Sequence, residues 1–307
     1  MFGIRLSWAC EVLCAERITM AENYFEILAP PQWQVPVVFN SPHSGSLLPD
    51  NFLQMSRLSP EALRQSEDCF VDQLFGDCQN LGAPMLRALI SRAYLDLNRE
   101  PYEFDPRMFH ENLPGHMNLG SPRVAAGLGS IPKLVAEGEE IYRGKIHLDE
   151  ALARVEQIYR PYHRTLNALL NECYNATGFA LLVDCHSMPA SAVKLPHLPM
   201  TDIVLGDRFG SSCDGEIAGA VESFFQKAGL KVLRNRPYSG GFITETHGSP
   251  RHNRHALQIE INRSLYMDEK TQLKNSNFKL VQQQLKNVIE QLIAYLPQDL
   301  QQREAAE

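Results

Sequence analysis

Several polar residues that follow apolar runs of the sequence are of the kinds that bind metal ions in proteins. His43 and His186 each come after a short apolar run. A catalytic zinc takes three protein ligands from His, Asp, Glu and Cys, and a fourth position stays open for water. Asp68 is the candidate third ligand and Asp72 its alternative, although Asp72 or Asp184 could instead orient a histidine without touching the metal. Turn histidines and helix-capping aspartates are the ordinary interpretations of the same residues.

A carboxylate inside an apolar run is the candidate general base. Glu260 lies within the run Ala256–Ile261. Burying a carboxylate costs free energy unless it is paired or used. Two interpretations follow: a side chain that points outward from an alternating strand, or a base whose pKa is tuned to take a proton from metal-activated water.

Arginine and glycine residues elsewhere could bind an acidic ligand. Arg99 could form a bidentate bond to a carboxylate with Asn98 as a second donor, although a surface ion pair is the commoner use of such an arginine. The later candidates are Tyr238, Gly241, Thr244, Arg251 and Arg254. The glycine pair at 240–241 is either an ordinary hairpin loop or a segment that closes over a ligand. For a second carboxylate, Arg254 is favoured over Arg251.

Hydrophobic periodicity places these residues on alternating strands and helices. The pattern predicts strands at residues 36–40, 179–183, 231–233 and 256–261, with interrupted strand-like sequence over 85–97. It predicts helices at 58–81, 148–173, 214–229 and 275–296, a bend or break at Pro161, and little regular structure over 100–145. This alternation indicates an α/β fold with a largely parallel sheet, whose ligands bind beyond the carboxyl ends of strands. His43 and His186 fall at such ends.

Composition restricts the class of protein. The chain has 307 residues and a formal net charge of -7, which argues against a general nucleic-acid-binding protein. Its seven cysteines, without a C-x-x-C pair, indicate reduced thiols and a cytoplasmic location. No apolar run is long enough to span a membrane, and the first 19 residues make a poor signal peptide. We predict a disordered or peripheral extension at 1–19 and one catalytic domain over 20–307, while the oligomeric state stays open.

Seven motifs, in order along residues 36–269, resemble the N-formylglutamate amidohydrolase family. The motifs are Asn40–Gly45, Glu67–Asp72, Leu95–Arg99, Arg160–His163, Val183–Ser187, Gly240–Thr244 and Leu257–Asn262. The family is similar to zinc carboxypeptidases and aspartoacylases. The resemblance therefore implies a three-layer α/β/α fold around a mixed sheet, one divalent metal ion, zinc in those relatives, and a place in histidine degradation.

The resemblance also implies roles for individual residues. It assigns metal binding to His43 and His186, the base to Glu260, and substrate-carboxylate binding to Asn98 and Arg99. The wider superfamily usually places its carboxylate ligand three residues after the first histidine, where this chain has Ser46. The carboxylate ligand must therefore come from further along the chain, and the choice between the two aspartates stays open.

Together these features predict a metal-dependent amidohydrolase that converts N-formyl-L-glutamate into L-glutamate and formate. Glu260 would move the proton, and the metal with an arginine, for which Arg99 is the candidate, would stabilise the oxyanion. One alternative is a deacylase or carboxypeptidase-like hydrolase of another N-acyl amino acid or small peptide. Another is a metal-binding protein without catalysis, which would not need a buried Glu260. A serine hydrolase is disfavoured because the chain has no G-x-S-x-G motif.

Overall fold

A seven-stranded sheet forms the centre of the fold. The structure is a computed structural model that describes residues 24–135, 138–194 and 200–304, so the predicted extension at 1–19 lies outside the described residues. The strands are β1 (Phe25–Leu28), β2 (Val37–Ser41), β3 (Met85–Ala88), β4 (Ala180–Met188), β5 (Ile203–Gly206), β6 (Val232–Arg234) and β7 (Arg254–Asn262). Their order across the sheet is β1-β3-β2-β4-β7-β5-β6. A separate ribbon pairs β8 (Met267–Asp268) with β9 (Leu273–Lys274).

The central strands run parallel, so their carboxyl ends meet at one edge of the sheet. β2 pairs in parallel with β3 and β4, and β4 pairs in parallel with β7. β1 lies antiparallel to β3, and β5 lies antiparallel to β7. The predicted α/β fold with a mixed, largely parallel sheet is therefore confirmed.

The helices in chain order include one long carboxyl-terminal helix and several short ones. They are α1 (Asp50–Met55), α2 (Pro60–Leu63), α3 (Val71–Leu74), α4 (Pro122–Ala125), α5 (Leu148–Arg154), α6 (Arg160–Thr177), α7 (Gly215–Lys227), α8 (Phe242–His247) and α9 (Phe278–Glu304). The helices predicted over 148–173, 214–229 and 275–296 correspond to α5 with α6, to α7 and to α9.

The central strands are buried on both faces and supply two apolar cores. Because successive side chains of a strand point to opposite faces, Phe39 and Val183 enter one core, which α3, α7 and α9 cover. Val38 and Leu182 enter the other core, which α5 and α6 cover. This packing explains why the strands read as continuous apolar runs in the sequence.

The continuous helix predicted over 58–81 is wrong. The segment instead contains α2, a 3-10 turn at Arg64–Ser66, α3 and a 3-10 stretch at Gly76–Leu81. The chain leaves helical geometry at Asp68, whose backbone N–H donates to His43 O at 2.9 Å, and Phe70 has a left-handed φ of 65°. This break brings the Asp68 side chain to the end of β2. The strand-like stretch 85–97 is likewise shorter than predicted, because only β3 pairs with the sheet.

Pro161 perturbs the long helical segment that was predicted to bend there. A π-helical turn at Val155–Tyr159 separates α5 from α6, and the N–H of Arg160 donates to Val155 O. Proline has no N–H to continue the regular ladder, and its ring crowds the preceding turn, so a wider turn just before it relieves the conflict.

Membrane spans and disulfides are both relevant to the predicted location. None of the helices in the described ranges is long and apolar enough to cross a bilayer. The cysteines within those ranges are buried, and no disulfide joins any two of them: Cys69, Cys78, Cys173, Cys185 and Cys213. The cytoplasmic location stays a prediction.

Candidate metal centre and active site

Neighbouring strand ends carry the candidate site. His43 lies two residues beyond β2, and His186 lies within β4, which continues to Met188. Glu260 is opposite His186 in the β4–β7 register. The loop before α3 adds Asp68. The parallel pairing of β2, β4 and β7 thus assembles residues that are more than 200 positions apart in sequence.

His43, Asp68 and His186 form a compact buried cluster. Asp68 Oδ2 lies 3.0 Å from His186 Nδ1 and 3.5 Å from His43 Nδ1. One ligand atom from each of the three residues lies within 4.8 Å of the other two. Within the described part of the chain, no other cluster of His, Cys, Asp and Glu has this property.

Each histidine of the cluster lies within hydrogen-bond distance of a carboxylate through its Nε2 atom. His43 Nε2 lies 2.8 Å from Asp96 Oδ1, and His186 Nε2 lies 2.9 Å from Asp184 Oδ2. A ring nitrogen that donates its proton to a carboxylate leaves the other nitrogen free to bind metal, and metal-binding histidines usually have such a partner. Both Nδ1 atoms therefore face Asp68 as potential ligand atoms.

An unsatisfied buried atom gives a reason, independent of the sequence motifs, to expect a metal ion at these residues. His43 Nδ1 is buried and has no hydrogen-bond partner, although buried polar atoms are nearly always satisfied. A divalent cation among the two imidazoles and the carboxylate would satisfy it, and this donor set suits zinc and several other divalent metals. The cluster could thus bind a metal ion.

The carboxylates of the site fall into two groups by pKa. Burial favours the protonated form of Asp68, but the adjacent imidazoles of His186 and His43 outweigh it and hold the Asp68 pKa well below its usual range. For Asp96, burial is likewise outweighed, chiefly by Arg92, and the pKa is again low. Burial raises the pKa of Glu260 to about 7. Two carboxylates therefore stay anionic near neutral pH, while the third can exchange a proton there.

A cavity of about 1190 Å³ opens onto the cluster. Its lining includes the cations Arg64, Arg92, Arg99, Arg123, Arg263 and Lys270. Arg99 is mostly buried, and its Nε and Nη1 atoms donate to the backbone carbonyls of Leu128 and Asn98. Burial lowers the pKa of the Arg99 guanidinium, although Asp96, with its nearest oxygen 3.8 Å away, partly opposes this. Arg99 therefore presents an incompletely neutralised charge to an acidic ligand.

Most of the residues predicted from sequence line this cavity. The lining includes the three residues of the cluster. It also includes five other predicted residues: Glu260, Asn98, Arg99, Tyr238 and Gly241. The buried Asn98 side chain is engaged internally: its Oδ1 accepts from Ile243 N at 2.8 Å, and its Nδ2 lies 3.4 Å from Asp184 Oδ2. Its position favours support of the site over direct contact with a ligand.

Four predicted candidates lie elsewhere. Thr244 is buried in α8, where its hydroxyl donates to Gly241 O at 2.9 Å. Arg254 stands at the start of β7, far from Glu260, with its guanidinium carbon 4.3 Å from the centre of the Tyr174 ring. Arg251 is exposed on a neighbouring turn and does not line the cavity. Asp72, the alternative ligand, accepts from Arg87 Nη1 at 2.5 Å, because the turn at α3 directs it away from the histidines.

Two cavity residues, Arg92 and Arg263, were not predicted from the sequence. Arg92 Nε donates to Asp96 Oδ2 at 2.9 Å, and Arg263 Nη2 donates to Asp68 Oδ1 at 2.9 Å. The position of Arg263 directly after β7 is the same kind of strand-end signal that indicated the two histidines. Arg92 lies in a stretch that was interpreted as strand, so its sequence context held no comparable signal.

Comparison with known proteins identifies the family. The family model "N-formylglutamate amidohydrolase" matches residues 35–267. The chain is 30% identical over 254 residues to the N-formylglutamate deformylase of Pseudomonas putida, covering 80% of this chain and 86% of that protein. The corresponding protein of Pseudomonas aeruginosa is 29% identical over 250 residues, with the same coverage.

Comparison with solved structures supports the same family. The crystal structure of an N-formylglutamate amidohydrolase from Ralstonia eutropha has a TM-score of 0.85 and 33% identity, covering 90% of this chain and 99% of that one. A gene product of Agrobacterium tumefaciens at 18% identity shares the fold with a TM-score of 0.60, covering 88% of this chain and 94% of that one. The family match across most of the chain and the relatives at 30% and 33% identity show that this chain belongs to the N-formylglutamate amidohydrolase family.

Proposed function

We propose that the protein hydrolyses N-formyl-L-glutamate to L-glutamate and formate with the help of one divalent metal ion. The observation that carries the proposal is the buried cluster of His43, Asp68 and His186, which lines a cavity together with Glu260 and several arginines. The curated relatives named above are N-formylglutamate deformylases, which supports the choice of substrate.

The metal would be held by His43, Asp68 and His186. When bound, it would polarise the amide carbonyl and make water a better nucleophile. Asp96 and Asp184 orient the two imidazoles so that each presents Nδ1 to the centre. The remaining functions belong to the side chains of the cavity.

Glu260 is the proposed proton carrier. Its Oε1 accepts from Gln258 Nε2 at 2.8 Å, which leaves Oε2 for proton transfer. Gln258 is itself fixed, because its Oε1 accepts from Gly241 N at 2.8 Å. Glu260 Oε2 takes a proton from the attacking water and returns it to the departing nitrogen of glutamate.

Arg99 is the proposed receptor for a substrate carboxylate. It is a mostly buried cation whose nearest carboxylate oxygen, on Asp96, is 3.8 Å away, so an incoming carboxylate gains a charge-assisted bond without first displacing a tight ion pair. Three other cavity arginines have closer partners: Arg64 binds Glu67, Arg92 binds Asp96, and Arg263 binds Asp68. Arg123 lies 4.0 Å from Glu103, but its side chain is more exposed than that of Arg99.

A substrate panel tests the proposal. The value of kcat/KM is measured for three substrates and compared. Formate release is followed for N-formyl-L-glutamate, and glutamate release for N-acetyl- and N-formimino-L-glutamate. The proposal predicts the highest value for the formyl compound. A higher value for another acyl group would instead identify a different deacylase, and metal binding without turnover of any compound would favour a non-catalytic metal-binding protein.

A further inference from the structure

The two carboxylate oxygens of Asp68 have different surroundings. Oδ2 faces the Nδ1 atoms of His186 and His43 at 3.0 and 3.5 Å. Oδ1 accepts hydrogen bonds from Arg263 Nη2 at 2.9 Å and from Ser187 Oγ at 3.2 Å. A carboxylate oxygen has two lone-pair directions, so two donors leave Oδ1 little capacity for a further partner.

Arg263 and Ser187 act on Asp68 as one unit. Arg263 Nε donates to Ser187 Oγ at 3.0 Å, so the serine hydroxyl can direct its own proton to Asp68. Arg263 also forms the direct ion pair with Asp68, and its Nη1 lies 3.4 Å from Gln65 O in the 3-10 turn that precedes Asp68. We call Arg263 with Ser187 the Asp68 clamp.

The clamp joins three of the four elements that build the site. Arg263 directly follows β7, which carries Glu260, and Ser187 is next to His186 in β4. Asp68 lies in an irregular loop that the strand pairing does not hold. A flexible carboxylate in such a loop could turn either one or both oxygens toward a cation.

We propose that Arg263, supported by Ser187, is a positioning residue that restricts Asp68 to a single metal-binding oxygen. The inference rests on the proposed metal site. Two histidines and one carboxylate oxygen supply three protein ligands, which leaves one position of a four-coordinate site for water or substrate. A carboxylate bound through both oxygens would raise the coordination number and crowd that position. The clamp thus protects the open position.

Cobalt spectroscopy tests the clamp without relying on activity. The full-length protein and its Arg263→Met, Arg263→Lys and Ser187→Ala variants are loaded with one equivalent of Co²⁺, and the visible absorption per bound ion is measured. Four-coordinate Co²⁺ absorbs much more strongly than five- or six-coordinate Co²⁺. Arg123→Met is the matched control, because it removes another cavity arginine whose recorded ion pair is with Glu103 and not with Asp68.

The expected result is a severalfold loss of absorption in Arg263→Met, a smaller loss in Arg263→Lys and Ser187→Ala, and a wild-type spectrum in Arg123→Met. Ser187→Ala keeps the arginine and provides the test if Arg263→Met does not fold. Folded clamp variants with the wild-type spectrum would overturn the inference while leaving the metal site intact. Failure of the wild-type protein to bind one equivalent of Co²⁺ would instead contradict the proposed function, and the clamp with it.

Discussion

At the scale of single residues, Glu260 has the most specific chemical assignment. Gln258 occupies Oε1, so the proposed proton transfer depends on Oε2 alone. Glu260→Gln keeps the shape of the side chain but removes the proton acceptor, and we expect kcat to fall by roughly 10²- to 10⁴-fold. Formate release measures the loss, and metal analysis must show an unchanged metal content.

Glu156→Gln is the matched control for that experiment, because Glu156 is exposed on the helical segment and pairs with Arg160. It should retain wild-type turnover. Near-normal turnover in Glu260→Gln, with metal bound, would show that another group moves the proton.

Arg99 is expected to act on substrate affinity. A charge-assisted hydrogen bond contributes about 1.5–3 kcal/mol, so Arg99→Met should lower kcat/KM for N-formyl-L-glutamate by roughly 10- to 150-fold. Comparison with N-formyl-L-glutamine then separates the two carboxylates of the substrate. If Arg99 binds the side-chain carboxylate, the variant should lose little activity toward the glutamine compound; equal losses would assign it to the α-carboxylate. An unchanged kcat/KM for N-formyl-L-glutamate would remove Arg99 from the binding site.

At the scale of elements, the start of α8 is fitted closely against the site. A Cβ atom on Gly241 would lie 2.5 Å from the Asn98 side chain, although the φ of -96° is accessible to any residue. Gly241→Ala should therefore destabilise the protein by about 1–3 kcal/mol through steric overlap, and urea unfolding measures this. Gly219→Ala is the control, because a Cβ there meets nothing within 4 Å and alanine favours the helix. Equal stability of the two variants would contradict the described packing.

The elements also show how far sequence reasoning reaches. The buried strands β2, β4 and β7 were predictable because they read as apolar runs, and their parallel pairing was enough to bring His43, His186 and Glu260 together. The position of Asp68 was not predictable, because apolar periodicity continues through 58–81 while the chain breaks to bond with His43 O. The clamp from Arg263 depends on tertiary contacts that no local pattern encodes.

At the scale of the whole molecule, two partly buried histidines should make folding stability depend on pH. Burial lowers the pKa of both His163 and His247 to about 4, from 6.5. Between these values the unfolded chain binds protons that the folded protein does not, so their stabilising contribution is complete above pH 6.5 and is lost as the pH falls toward 4. Allowing for partial solvent contact, we expect about 1–2 kcal/mol from each.

Urea unfolding at several pH values between 4 and 7 measures this dependence. His247→Gln should flatten the decline in unfolding free energy over that range, and the same substitution at the exposed His252 is the comparison. If the unfolding free energy of His247→Gln declined with falling pH as steeply as that of the wild-type protein, the partly buried His247 would not be a cause of the decline.

The proposed catalysis depends most directly on a metal ion bound by the cluster of His43, Asp68 and His186. Metal-free protein is titrated with Zn²⁺ while formate release from N-formyl-L-glutamate is followed, alongside the His43→Asn and Asp68→Asn variants. We predict that the metal-free protein is inactive and that its activity rises linearly with added Zn²⁺ to a plateau at one equivalent. Neither variant should gain activity with one equivalent of Zn²⁺. Full activity of the metal-free protein, or wild-type activation of both variants, would contradict the assignment of this cluster as the catalytic centre.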